Sequence, residues 1–211
     1  LAAHLNQEGR YRAVYANIKK FTGYIFTSNT PEAVPFIIFA FTGGQTPLAL
    51  NIMQILAVDL GTDLAPALAL GAEPPEPGVM ERPPRARSEH LITWGLLARA
   101  YLWLGMLQSL AAMTAFYFMY WINGYWGQFF GLPASGLLYQ AATAMTLGAI
   151  VATQIGNLFA QRTEYSSVFR VGLFSNRLVW IGIATEVILL LSIVYVPILQ
   201  TVFGAAPLGW R

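Results

Sequence analysis

The chain contains no cysteine, so disulfides, thiolate metal sites and a cysteine nucleophile are excluded, and nothing about redox compartment follows. It is also short of charge. Only 10% of its 211 residues are Asp, Glu, Lys or Arg, against roughly 25% in a soluble domain. From Ala100 to Gln161 there is no charged residue at all. With 56% hydrophobic residues and a mean hydropathy of +0.53, such a chain cannot cover itself with a water-facing surface. Disorder and a soluble enzyme fold are both excluded. The net charge of +2 is too small to point to nucleic acid. Residues Leu1 to Arg10 lack the order of a signal peptide, and without an initiating Met the chain reads as an excerpt.

What is present is a series of apolar stretches, each near the ~20 residues a helix needs to cross the hydrocarbon core. They fall at about 21–43, 46–70, 95–122, 137–160 and 178–197. The expected fold is all-α, a polytopic membrane bundle of five transmembrane helices, some broken at mid-membrane by Pro or Gly. Residues 1–20 read as a stalk, 21–197 as the transmembrane domain and 198–211 as an outer tail. Eleven of the twelve basic residues lie before the first span, between the second and third, or between the fourth and fifth. The positive-inside rule makes that side cytoplasmic. Tyr120, Trp121, Tyr125 and Trp126 then mark an outer aromatic belt. The segment from Glu73 to Arg85 holds five Pro and reads as a stiff, extended cytoplasmic spacer within a loop at 71–94.

Four carboxylates fall inside spans: Glu32, Asp59, Asp63 and Glu186. Each costs at least ~2.5 kcal/mol at the bilayer centre, and no basic residue shares their depth. A bound cation or a proton must compensate, and oxygen ligands suit hard cations. Asp59 and Asp63 are i, i+4 with Thr62 beside them, so like charges converge on one helix face. In the first span Pro31 and Pro35 bracket Glu32 and interrupt the helix ladder, which adds freed carbonyls to the oxygens of Ser28, Asn29 and Glu32. Gly61 and Pro66 repeat the device in the second span. Gln154 and Asn157 are either further ligands or interhelical hydrogen-bonding residues. Glu186 stands alone on the fifth span as a proton path, a peripheral cation site or a quiet protonated acid.

The run from Ser28 to Glu32, the run Val58-Asp59-Leu60-Gly61-Thr62-Asp63-Leu64-Ala65-Pro66, and Met80-Glu81-Arg82-Pro83-Pro84-Arg85 together resemble the type II P-type cation-transporting ATPases. The resemblance covers nearly the whole chain and implies the family's fifth to ninth transmembrane helices. It implies cation ligands at Asn29, Glu32, Asp59, Thr62 and Asp63, with Ser28 contributing. It places Gln154 where the eighth helix adds a ligand, and likens Glu186 to the ninth-helix acid of sodium–potassium pumps. Asp59 favours a sodium–potassium over a calcium pattern, Ser28 stands where the gastric proton–potassium pump has Lys, and Asn157 replaces an eighth-helix Asp. That mixture is similar to bacterial members, so a bacterial or archaeal plasma membrane is expected. The transported cation is then Na+/K+ or Ca2+. ATP and Mg2+ belong to phosphorylation, nucleotide-binding and actuator domains whose motifs this chain lacks, so it holds no catalytic residue and cannot hydrolyse ATP alone. Its expected partners are the lipid bilayer and those domains. A stand-alone channel or ion-coupled carrier, and a non-functional truncated scaffold, are the alternative readings.

Overall fold

The computed structural model describes residues 7–78, 80–81, 90–164 and 166–209, and the described residues contain helices and no strand. Arg82 to Arg87, His4 and Arg211 lie outside the described residues, as do the Pro-Pro-Arg residues of the Pro-rich loop.

The first helix, α1, runs Gln7–Phe41, and its 35 residues span about 52 Å, enough to cross the ~30 Å hydrocarbon core and extend beyond it. The expected proline interruption is confined to the hydrogen-bond ladder. Pro31 and Pro35 have no N–H, so the carbonyls of Thr27 and Pro31 lose their helical donors while the helix carries on through both. The second membrane-length segment, Ile52–Gly71, is built from three pieces. They are α2 (Ile52–Ala57), a π-helical turn (Val58–Thr62) and α3 (Leu64–Gly71). Its start is fixed by Asn51, whose side chain accepts from Gln54 N at 2.8 Å while Gln54 Oε1 accepts from Asn51 N at 3.2 Å, a reciprocal cap. Residues 46–51 before it are not helical.

The third such segment begins with α4 (Trp94–Leu97), passes through a π-helical stretch (Ala98–Gly105) and ends as α5 (Met106–Ile122). Then follow α6 (Leu137–Gln161), a short α7 (Val168–Val171), α8 (Arg177–Tyr195) and α9 (Pro197–Phe203). Among the described residues, four segments are long and apolar enough to cross a membrane: Ile52–Gly71, Trp94–Ile122, Leu137–Gln161 and Arg177–Tyr195. In α1 the polar run from Thr27 to Glu32 dilutes an otherwise apolar stretch.

The bundle is inverted relative to a soluble protein. Gln54, Gln154, Thr143, Thr146 and Glu186 are fully buried, whereas Leu60, Leu102, Trp103, Leu110 and Ile188 are exposed. Apolar residues outside and polar ones inside is the distribution that lipid as solvent selects. Close approach between helices relies on small residues. A Cβ on Gly182 of α8 would sit 3.1 Å from the Pro66 Cα and N of α3, and a Cβ on Gly105 would overlap Thr30 of α1.

At the basic end of the bundle the start of the Pro-rich loop is fastened, and spacer describes it poorly. Arg162, fully buried after α6, donates to Glu73 Oε1 from Nε at 3.0 Å and Nη2 at 2.6 Å, to the Leu173 carbonyl at 3.0 Å and to Ser175 Oγ at 2.7 Å. Asn176 donates to the other Glu73 oxygen at 2.7 Å, and Asn17 of α1 donates to the Glu73 carbonyl at 2.7 Å. Lys20 pairs with Glu76 at 3.1 Å. At the opposite end, Thr46 donates to the Phe129 carbonyl at 2.8 Å and Gly131 N to the Gln45 carbonyl at 2.8 Å, so the two loops at that end hold each other. Of the aromatic residues there, Trp126 is exposed, but Tyr120 is buried and donates to the Pro133 carbonyl at 2.6 Å, a core role rather than a belt role.

Candidate cation site

Tyr24, Ser28 and Glu32 recur every four residues of α1, so one face of that helix carries a phenol, a hydroxyl and a carboxylate inward. All three are buried. Opposite them the π-helical turn closes with Asp63 N donating to the Val58 carbonyl at 2.8 Å, a five-residue rather than four-residue step. The extra residue rotates the segment, leaving Asp59 exposed and Thr62 and Asp63 buried. Despite this difference, one oxygen each of Glu32, Asp59 and Asp63 lies within 4.8 Å of the others.

Three carboxylates at that spacing, with no ion-pair partner among the described residues, cannot all be ionised without help. At an effective dielectric of about 20, each pair of unit charges 4.8 Å apart repels by about 3 kcal/mol. Hydrogen bonds relieve part of this. Ser28 Oγ donates to Asp63 Oδ2, and the Tyr24 hydroxyl lies 3.5 Å from Asp63 Oδ1. The same hydroxyl is 3.4 Å from Glu186 Oε1, so Tyr24 stands between the three-carboxylate cluster and the buried acid of α8. Having a single proton, it serves one acid at a time.

Thr62 donates to the Val58 carbonyl at 3.1 Å and lies 3.4 Å from Gln154 Oε1, which brings α6 to the edge of the cluster. Among the described residues Glu32 Oε1, Gln154 Nε2 and Glu186 Oε2 are buried without a hydrogen-bond partner. Orphaned buried polar atoms are rare, and two of these three are carboxylate oxygens, so the donor set fits a hard cation. Together with the carbonyls left open by the prolines of α1, the arrangement offers oxygens from α1, the second segment, α6 and α8.

Ser28, Glu32, Asp59, Thr62, Asp63, Gln154 and Glu186 are therefore drawn to one region. Asn29 is not; it is exposed on the outside of α1. Asn157 is engaged in packing, donating to the Tyr24 carbonyl at 3.4 Å and accepting from Gln161 Nε2 at 3.3 Å. Tyr24 was not singled out from sequence, although its place four residues before Ser28 and eight before Glu32 is the signal that finds it.

Comparison with known proteins bears on the same elements. The family model described as "Cation transporting ATPase, C-terminus" matches residues 47–211. The chain is 30% identical over 213 residues to potassium-transporting ATPase alpha chain 2 of Rattus norvegicus, covering 90% of this chain and 20% of that protein. The human protein of the same name is 31% identical over 214 residues, covering 90% and 20%. Sodium/potassium-transporting ATPase subunit alpha-4 of Rattus norvegicus is 30% identical over 226 residues, covering 96% and 22%. The chain thus spans about a fifth of the length of these curated relatives. They are animal proteins and lend no support to a bacterial or archaeal source.

Proposed function

The chain belongs to the cation-transporting ATPase family, matching its C-terminal region, and on that premise we propose that it is the cation-translocation module of an ATP-driven pump. The relatives' names speak of potassium and of sodium and potassium, which favours an alkali cation over Ca2+. The proposed ligands are Ser28, Glu32, Asp59, Thr62, Asp63 and Gln154. Glu186 is reached through Tyr24, and Asn29 faces whatever packs against the outside of α1.

The observation that carries this reading is the meeting of Glu32, Asp59 and Asp63 oxygens within 4.8 Å, where a cation relieves the repulsion. Transport then follows from geometry. Tilting α1 against the second segment separates Glu32 from Asp63 and changes the number of oxygens around the ion, hence its affinity. The π-helical turn is the weak point of the second segment, because its ladder already departs from the α-helical step. ATP, Mg2+ and the phosphorylated Asp belong to other domains of the same pump, which couple to this end through the fastened Glu73 loop.

In the full-length pump, Asp63→Asn is expected to abolish cation-stimulated phosphorylation by ATP while the protein still reaches the membrane. Unchanged cation dependence in that variant would remove Asp63 from the site.

A further inference from the structure

The π-helical turn Val58–Thr62, which sets Asp59 apart from Thr62 and Asp63, has to be held in place. A π-turn takes in one residue more than an α-turn and is the rarer arrangement, so it persists where packing supports it. Taking that residue out again would rotate everything after it by about 100° around the helix axis and change which oxygens face Glu32 and Gln154.

The helix packed against this turn is α8. Its residues Gly182, Glu186, Leu189 and Ile193 follow one another at steps of four, three and four, so they lie along one face. Gly182 abuts Pro66, where an added Cβ would come within 3.1 Å of the Pro66 Cα and N. Glu186 Oε1 lies 3.4 Å from the Tyr24 hydroxyl. Leu189 occupies the notch that Gly61 leaves: a Cβ on Gly61 would overlap Leu189 Cδ2, and Leu189 Cγ lies 3.6 Å from that position. Ile193 is buried in one cluster with Val58, the first residue of the turn, and Leu189 packs against the same cluster. Position numbers rise along α8 as they fall from Pro66 through Gly61 to Val58. The two segments therefore run antiparallel, and α8 grips the second one on both sides of Asp63.

We infer that Leu189 is a positioning residue for the cation site: seated at Gly61, it holds the π-helical turn in the register that aims Thr62 and Asp63 inward, and thereby sets which cation the site prefers. It touches no ion. The inference rests on the reading of the carboxylate cluster as the cation site, and adds to it a determinant of selectivity on a neighbouring helix. Notch and side chain are complementary. A methyl at position 61 displaces Leu189, and a trimmed side chain at 189 leaves the notch empty. Both changes together put a carbon back into the space that Cδ2 occupies.

The test measures equilibrium binding of radioactive Na+, Rb+ or Ca2+ to the full-length pump without ATP, together with competition by the other two ions. The ratio of affinities for two ions does not depend on how much of the protein is folded, so a merely structural loss leaves it unchanged. Leu189→Ala and Gly61→Ala are each expected to shift that ratio by about 2- to 30-fold, the size of effect carried by residues that touch no ligand. Leu189→Met, which nearly conserves volume, should keep most of the wild-type preference. The double variant Gly61→Ala/Leu189→Ala should lie closer to wild type than either single variant. Leu132→Ala, which trims a buried leucine in the cluster around Phe116, should lower thermal stability and leave the ratio alone. Gly61→Ala leaves the sequence of α8 intact, so it keeps the test in force if Leu189→Ala fails to fold. An unshifted ratio in the folded single variants, with binding lost in Asp63→Asn, would overturn the role of Leu189 and leave the cation site standing. Single-variant shifts that simply multiply in the double variant would overturn it too, because positions 61 and 189 would then act independently. Unchanged binding in Asp63→Asn, or none in wild type, would remove the site itself and this inference with it.

Discussion

Replacing Arg162 by Met is expected to be among the most destabilising changes available outside the carboxylate cluster. The side chain is fully buried and makes four hydrogen bonds, two of them to one oxygen of Glu73, whose own side chain is 1% exposed. Removing the guanidinium leaves a buried carboxylate held only by Asn176, and breaking a buried pair in this way costs about 3 to 5 kcal/mol. Glu73→Gln removes the charge from the other side and strands the guanidinium on neutral acceptors, with a cost in the same range. The double variant has no unpaired charge. Its cost should fall short of the sum of the single costs by about 2 to 3 kcal/mol, the coupling expected of residues in one network. The Arg12–Glu8 pair is the control, because its Glu8 side chain is 56% exposed and such surface pairs contribute about 0.5 kcal/mol or less. The assay is reversible unfolding in mixed detergent micelles at increasing SDS fraction. Additivity of the two single variants to within about 0.5 kcal/mol would refute the view that the loop is fastened by a desolvated ion pair.

Other changes probe packing, capping and the edge of the carboxylate cluster. Gly182→Ala places a methyl 3.1 Å from backbone atoms of Pro66, which cannot rotate away, so unfolding in the same assay should show a loss of about 1 to 3 kcal/mol. Asn51→Ala loses the reciprocal cap of α2 and a 2.7 Å bond to the Phe203 carbonyl; a loss of about 1 to 2 kcal/mol is expected, and none would mean that neighbouring contacts fix the helix start. Tyr24→Phe keeps the ring in place but removes the hydroxyl between Asp63 and Glu186. Cation affinity of the full pump, read from the concentration giving half-maximal phosphorylation, should change about 2- to 10-fold, the value of one modest hydrogen bond.

Much of this was legible in the sequence because lipid makes it so. Uncharged stretches mark helices, and acids within them stand out at a glance. Glu32, Asp59 and Asp63 could be grouped before any coordinate was known, since isolated carboxylates in apolar segments need a common explanation. The π-helical turn was not legible. Gly61 and Pro66 announce an irregularity, but whether the ladder breaks, tightens or takes in an extra residue depends on how α8 packs against the segment. Tyr24 was hidden by its ordinariness, as an aromatic residue in an apolar helix is mostly core. Arg162 and Glu73 were hidden by their setting, one counted among basic residues beside a loop and the other placed in a Pro-rich spacer. Their partners lie 89 positions apart, and only the folded chain brings them together.

The central claim is that Glu32, Asp59 and Asp63 hold a cation together, and equilibrium binding tests it most directly. The full-length pump is incubated without ATP in trace radioactive Na+, the K+ congener Rb+, or Ca2+, and bound ion is counted for wild type and for Asp63→Asn. Saturable binding of one of these ions to wild type and its loss in the variant is the predicted result. Equal binding by both proteins would contradict the claim, as would no saturable binding of any of the three to an active wild-type pump.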